Sequence, residues 1–239
     1  MSERPILSRV AGLEWPALPG RHGANLLSLL YQLERSEQWD AQQLRASQLR
    51  QMWHVLQHAV TTVPYYRDRR EEYEFLLSVE HAPTDADWRR LPLLTRRNLQ
   101  VAGDTLHSTA LPPTHGRLTE FQTSGSTGQP VRVRGTGVTA LFWEAITLRD
   151  HYWHARDFSA KLASIRFTSV KAAQPPDGLS MGDWGSPASA LHATGPSSLL
   201  SLATEIGTQA RWLLRQEPQY LLSYPSNLAA LARYFHRER

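Results

Sequence analysis

Residues 123–130 read Thr123-Ser124-Gly125-Ser126-Thr127-Gly128-Gln129-Pro130, a single run of small, hydroxylated and glycine residues. Glycines let successive backbone N–H groups turn inward, and such a nest attracts anionic oxygens. Ser124, Ser126 and Thr127 add hydroxyl donors without bulk. The run therefore has the chemistry of a polyphosphate cradle. It is not a Walker loop, which needs Gly-x-x-x-x-Gly-Lys-Ser/Thr opening a helix; here Gln129 and Pro130 follow Gly128. An ordinary polar hairpin turn has the same composition, and composition alone leaves both readings open.

Other residues offer weaker chemistry. His54 and His58 are spaced i, i+4, and His151 and His154 i, i+3, so either pair could share a metal. Neither has an obvious third ligand nearby, and exposed or cap-like roles suit both better. Asp85 and Asp87 could pair as carboxylates, yet they lie in a breaker segment where helix capping is the simpler role. A serine nucleophile would sit in Gly-x-Ser-x-Gly; Ser124-Gly125-Ser126-Thr127-Gly128 misses that spacing by one. Trp153, Trp184 and Trp212 could line an apolar pocket, although most tryptophans are core or partly buried surface. Trp184, in a Gly/Pro/Ser-rich stretch, is the most interesting of the three.

The elements that must position these residues follow from periodicity. Leu118, Glu120 and Gln122 alternate with Thr119, Phe121 and Thr123, and Val131-Arg132-Val133-Arg134 alternates strictly. Period two reads as strand, so the run should be a loop held in a hairpin. Upstream, residues 1–20 form an irregular lead-in. Leu26, Leu30 and Leu33 mark a helix over 25–39. Leu49, Met52, Trp53, Leu56, Ala59, Val60 and Val63 mark a second helix, stopped by Pro64. A short helix is expected over 70–80. Thr95 should cap another over 96–102.

Downstream, a helix is expected over 137–154, a strand over 161–167, and no regular structure over 168–196. A helix should open at Pro196-Ser197 with Leu199, Ala203, Ile206, Ala210 and Leu213 as its stripe. A strand over 220–224 and a last helix from Pro225 complete the pattern. Strand, helix, strand, helix over 161–237 is a parallel α/β signature. The fold class is therefore α/β, with a mostly helical segment over 1–115 and an α/β part over 116–239.

The 239 residues carry a formal charge of +4 and no cysteine. Disulfides and thiolate chemistry are excluded, and a cytoplasmic setting is expected. Only Lys161 and Lys171 are lysines. The arginines are scattered and interrupted by acids, whereas nucleic-acid binding would gather them on one face. No run approaches the roughly 18 apolar residues of a membrane helix. Neither nucleic acid nor membrane is an expected partner.

The run at 123–130 resembles the phosphate-binding loop of the adenylate-forming enzymes: acyl-CoA synthetases, luciferases and peptide-synthetase adenylation domains. Three further segments resemble the phenylacetate-CoA ligase branch. Val63-Pro64-Tyr65-Tyr66-Arg67 is similar to its "Val-Pro-Phe/Tyr-Tyr-Arg", and Leu91-Pro92-Leu93-Leu94-Thr95-Arg96 to its "Leu-Pro-x-x-Thr-Lys". Tyr224-Pro225-Ser226-Asn227-Leu228 with Leu231-Ala232 is similar to its "Tyr-Pro-Ser-x-Leu…Leu-Ala".

The resemblance implies AMP-forming activation of a carboxylic acid by ATP, with Mg2+, and transfer to coenzyme A. Thr123, Ser124, Gly125, Ser126, Thr127 and Gly128 would hold the phosphates. Departures matter equally. No Tyr-Gly-x-Thr-Glu follows Tyr224-Pro225-Ser226, and Gln129 stands where many members have lysine. The resemblance thus implies an incomplete N-terminal domain, inactive alone, working with a separate C-terminal half or as a homo-oligomer. The alternative is a non-catalytic accessory protein that keeps the loop as an anion or nucleotide site.

Overall fold

The computed structural model describes residues 5–77, 83–122 and 131–238. The chain divides into two compact units, Met1–Leu30 with Glu144–Arg239, and Tyr31–Trp143.

The first unit is built on a four-stranded sheet. Its strands are β3 (Leu162–Arg166), β4 (Leu179–Met181), β5 (Ser197–Ser201) and β6 (Tyr220–Leu222), in the order β4-β5-β3-β6. Both β5 and β6 run parallel to β3, whereas β4 is antiparallel to β5. Helix α8 (Ile206–Gln216) links β5 to β6, and α9 (Pro225–Arg237) follows. Pro225 occupies the first turn of α9, where its missing N–H has no intrahelical partner to lose.

Alternation in β3 buries Ala163 and Ile165 while exposing Arg166. Leu200 of β5 joins them opposite Ile165, and Ala210, Trp212, Leu213 and Leu231 from the two helices close the core. The Trp212 ring is fully buried, and its Nε1–H donates to the Asp177 carbonyl at 2.8 Å. That bond removes the cost of burying a bare indole N–H. It also fastens the long 167–196 connection to α8.

Three expectations fail in this region. Residues 197–201 were expected to open a helix; they form β5, paired on both sides. The Leu199–Ala203–Ile206 spacing imitates a helical stripe, but the start signal lies later. Glu205 accepts hydrogen bonds from the N–H groups of Gly207 at 2.9 Å and Thr208 at 3.0 Å, which starts α8 at Ile206. Buried serines disguise β5: the Ser198 hydroxyl donates to Gln216 Oε1 at 2.9 Å, so a polar sequence is accommodated inside. The 168–196 stretch was expected to be irregular, yet it holds β4 and two single 3₁₀ turns at Lys171–Ala173 and Ala188–Ala190. The last strand is also shorter than expected. Ser223 and Tyr224 already turn into α9.

In the second unit, α2 (Ala41–Thr62) is capped by Asp40, which accepts from Gln43 N–H at 2.7 Å, and it stops before Pro64 as expected. Its Leu56 and Val60 pack with Tyr73 and Leu76. Helix α1 (Arg21–Ser36) starts earlier than its leucine spacing suggested. The expected 70–80 helix is a 3₁₀ turn at Arg70–Tyr73 followed by one turn of α-helix at Glu74–Leu77; residues 78–80 lie outside the described residues. Asp85 and Asp87 both serve structure. Thr84 and Asp87 cap one another around Asp85–Trp88, and Arg45 Nε donates to Asp85 at 2.7 Å. Thr95 caps α6 (Arg96–Ala102) in a reciprocal box with Asn98, as expected. Helix α7 (Gly137–Trp153) begins in this unit and continues into the first, where it buries Ala145 and Leu148.

Each core yields a test. Replacing Trp212 by Ala removes the largest buried side chain and its bond to Asp177; we expect a loss of about 3–5 kcal/mol, read from urea unfolding of the two proteins. Burial, reinforced by the charge of Glu72, raises the Tyr73 phenol from 10.0 to about 12. Its neutral form is therefore favoured by folding. That contribution is complete below pH 10 and disappears as pH climbs through about 12. Tyr73→Phe should flatten the alkaline fall in stability, and identical alkaline limbs for variant and parent would refute the assignment.

Candidate functional site

The expected hairpin is present. Strands β1 (Thr119–Gln122) and β2 (Arg132–Gly135) pair antiparallel, from Thr119↔Gly135 to Gln122↔Arg132. The ladder thus holds both ends of the connection. Thr123, Ser124, Gly125, Ser126, Thr127 and Gly128 lie outside the described residues.

The foot of the hairpin is tightly specified. At Gly135 a β-carbon would come within 2.9 Å of the Phe121 ring, so only glycine sits there without a shift. Thr136 then starts α7. Its N–H donates to Thr139 Oγ1 at 2.6 Å, and Thr139 N–H returns a bond to Thr136 Oγ1 at 3.3 Å. The strand therefore runs into a capped helix with no slack. On one face Glu120 stands between Arg132, at 3.8 Å, and Arg134, at 3.5 Å.

Beneath β2 lies a cavity of about 310 Å³. Tyr66, Leu99, Leu106, His107 and Ser108 line it together with residues 131–134 of the hairpin. A second groove, of about 270 Å³, lies between α2 and Leu91-Pro92-Leu93-Leu94, with Tyr66, Tyr73 and Trp88 in its wall. Sequence reading did not single out either one. The segments Val63–Arg67 and Leu91–Arg96 carried the family resemblance, and each contributes to both linings through Tyr66 and Leu94.

Ser108 and His58 come together near the first cavity. His58 Nε2 lies 3.1 Å from Thr62 Oγ1 and 3.3 Å from Ser108 Oγ. The two have the residue types of a nucleophile and its base. The Ser108 hydroxyl is engaged with the Ala110 carbonyl and Thr62 Oγ1, both at 2.9 Å, and no carboxylate faces His58 among the described residues. The cluster fastens residues 108–110 to the end of α2, where Thr109 N–H also donates to the Thr62 carbonyl at 2.8 Å.

The first unit offers the other candidate region, at the carboxyl ends of β3, β5 and β6, where open parallel sheets bind ligands. A buried polar chain sits there. The Ser223 hydroxyl donates to the Ile165 carbonyl at 2.8 Å. Asn227 donates to Ser223 Oγ at 3.0 Å and to Gln209 Oε1 at 2.8 Å. Gln209 in turn donates to the Thr204 carbonyl at 2.7 Å. The chain locks the turns after three strands to the two helices. Tyr224-Pro225-Ser226-Asn227 is thus a rigid corner, and Asn227 is its anchor.

The remaining expectations separate cleanly. His54 and His58 do not share a metal-like site, since His54 lies against Trp53 and His58 faces the Thr62–Ser108 pair. His151 Nδ1 lies 2.8 Å from Arg156, and His154 Nδ1 lies 2.9 Å from the Asp150 carbonyl. No three His, Asp or Glu side chains gather in metal-binding geometry among the described residues. Trp212 is core, and Trp153 is exposed beneath the Arg149 guanidinium. Trp184 belongs to an aromatic cluster with His151, Phe158 and Tyr220, and its Nε1–H donates to the Ala160 carbonyl at 2.8 Å. Its role is to pin the long connection onto the start of β3. No described helix is long and apolar enough to cross a membrane.

No family model and no curated protein matches the chain. Among solved structures, its fold is similar to an open conformation of 2-hydroxyisobutyryl-CoA ligase in complex with 2-HIB-AMP and CoA. The TM-score is 0.53 at 21% sequence identity, over 83% of this chain and 44% of that one. The chain thus spans less than half the length of the ligase it resembles in fold.

Proposed function

We propose that residues 123–130 grip the β- and γ-phosphates of ATP in an adenylate-forming carboxylate ligase of the phenylacetate-CoA ligase-like branch. The reading rests on one conjunction. A Thr-Ser-Gly-Ser-Thr-Gly run is suspended from a paired hairpin, in a chain that shares its fold with a ligase holding an acyl-adenylate and CoA. The loop sequence names the ligand class, and the fold likeness supplies the context.

The reaction is AMP-forming ligation of a carboxylic acid. A carboxylate oxygen attacks the α-phosphorus, the α–β phosphoanhydride bond breaks, and pyrophosphate leaves. The coenzyme A sulfur, losing its proton, then attacks the acyl carbon and AMP departs. Negative charge builds on the pyrophosphate oxygens in the first step. Backbone N–H groups and the hydroxyls of Ser124, Ser126 and Thr127 stabilise that charge and hold the leaving group in line. The ladder up to Gln122↔Arg132 and the capped start of α7 limit how far the loop's ends can drift.

Mg2+ would neutralise phosphate oxygens in such a reaction. The described residues gather no set of three ligands for it, so no step is assigned to them. ATP and coenzyme A as substrates suit a cytoplasmic protein.

A second reading has its own support. Gln129 replaces the lysine common at this place in the family, and the chain holds two lysines in all. A loop without that cation retains anion binding more readily than catalysis. On this reading the protein is an accessory nucleotide or anion binder.

Titrating ATP into the protein and into a Ser126→Ala/Thr127→Ala variant tests the grip. We expect saturable binding that weakens by about 100-fold or more when two charge-assisted hydrogen bonds are lost. Equal affinities, or none in either protein, would refute it. ATP–pyrophosphate exchange separates the two readings. The 239 residues alone should show none, because no Tyr-Gly-x-Thr-Glu lies within them, and they should regain it only with a partner that supplies that segment. Exchange by the chain alone would overturn the proposed incompleteness, and ATP binding with no exchange under any pairing would favour the accessory reading.

A further inference from the structure

The cavity beneath β2 has a composition that the phosphate grip does not use. At about 310 Å³ it is roughly twice the ~150 Å³ cavity that takes up benzene, and it stands at the lower end of small-molecule sites. Leu94, Leu99, Leu106, Leu111, Leu118 and Val131 supply most of its apolar side chains. Few of its polar groups are open to a ligand. Ser108 is held by the Thr62 hydroxyl and the Ala110 carbonyl, whereas His107 Nδ1, 3.4 Å from Asp104, is buried without a hydrogen-bond partner. A base or a peptide would bring several donors and acceptors to a wall that offers them little beyond that one nitrogen, so the inner end of a ligand is mainly hydrocarbon.

The rim is different. Arg132 and Arg134 belong to the same lining, and among the described residues their two positive charges share the one carboxylate of Glu120. Neither pair is close: 3.8 Å and 3.5 Å exceed the 2.7–3.2 Å of a good hydrogen bond. The two guanidinium groups therefore retain donors and an excess of positive charge at the cavity edge. A carboxylate-like head would take up that capacity with charge-assisted bonds.

We propose that this cavity binds an amphipathic anion: a hydrocarbon body of about eight carbons among the leucines, with one anionic head on Arg132 and Arg134. The site belongs wholly to the Tyr31–Trp143 unit and does not depend on the loop binding ATP. Because β2 forms one wall and Leu99 of α6 another, an occupant ties the hairpin to the helix beside it.

Octanoate is the probe and 1-octanol its uncharged counterpart, each titrated into the 239-residue protein by NMR. Octanoate should bind saturably and shift the amide signals of Leu106, His107, Val131 and Val133. Octanol should bind at least tenfold more weakly, the order of one charge-assisted bond. Arg132→Ala/Arg134→Ala should bring octanoate down to the affinity of octanol. Leu106→Trp, or the milder Leu99→Phe, should abolish binding of both. The Ser126→Ala/Thr127→Ala variant should keep octanoate binding, which separates this site from the phosphate grip. Absence of saturable binding, shifts confined to residues elsewhere, equal affinity for octanol and octanoate, or binding that survives both filled variants would each overturn the proposal. The shift pattern in the unaltered chain decides the matter even where a filled variant fails to fold.

Discussion

Strand β3 offers both of its edges to parallel neighbours, and that double pairing governs its unit. A parallel neighbour cannot be reached by a tight turn, so the chain must cross over between strands. The crossover from β5 to β6 is α8, which has to lie on a face of the sheet, and the small Ala163 beside Ile165 gives the helices room to approach. Trp212 then fills the space between helix and sheet. Its bond to Asp177 carries the constraint outward into the 167–196 connection. Strand β3 begins where several tethers converge: Leu162 N–H to the Pro196 carbonyl at 3.1 Å, and Gln219 and Tyr220 N–H to the Lys161 carbonyl at 3.1 and 3.2 Å. Gly195 lies at the same place, where any β-carbon would strike the Ser159 and Ala160 carbonyls.

Much of this order is legible in residue types. The stop at Val63-Pro64, the cap at Thr95, the start at Pro225 and the alternation on both sides of residues 123–130 all act through short-range sterics and hydrogen bonding. Short-range causes leave marks in the sequence. What escaped reading is set by distant partners. Ser197-Ser198-Leu199-Leu200-Ser201 carries no strand-like alternation because its serines are buried by bonding to residues such as Gln216. Its neighbours in the sheet, more than 15 positions away, decide its conformation.

The candidate site shows the same division. The chemistry proposed for residues 123–128 rests on hydroxyls and glycines that adjoin in sequence, and the pairing of the strands that flank them follows from alternation. The cavity under β2 has no such mark. Tyr66, Leu99 with Leu106, and Val131 come from three separate stretches, and only the tertiary fold brings them to one wall. Periodicity reports which face of an element is buried. It does not report that two buried faces fail to meet.

The outer edge of β6 has a consequence for self-association. It has no strand neighbour among the described residues, and Leu221 and Leu222 beside it are more than a third exposed. An open edge of this kind is a template for other chains. Here it is three residues long. An added strand would gain only about three backbone bonds, too few to offset the ordering of a flexible segment at about 1–2 kcal/mol per residue. Brevity therefore protects this edge from indiscriminate strand capture. Leu221 and Leu222 are consecutive, so they point to opposite faces of the sheet, and a strand that covered both would have to be apolar on both of its own sides.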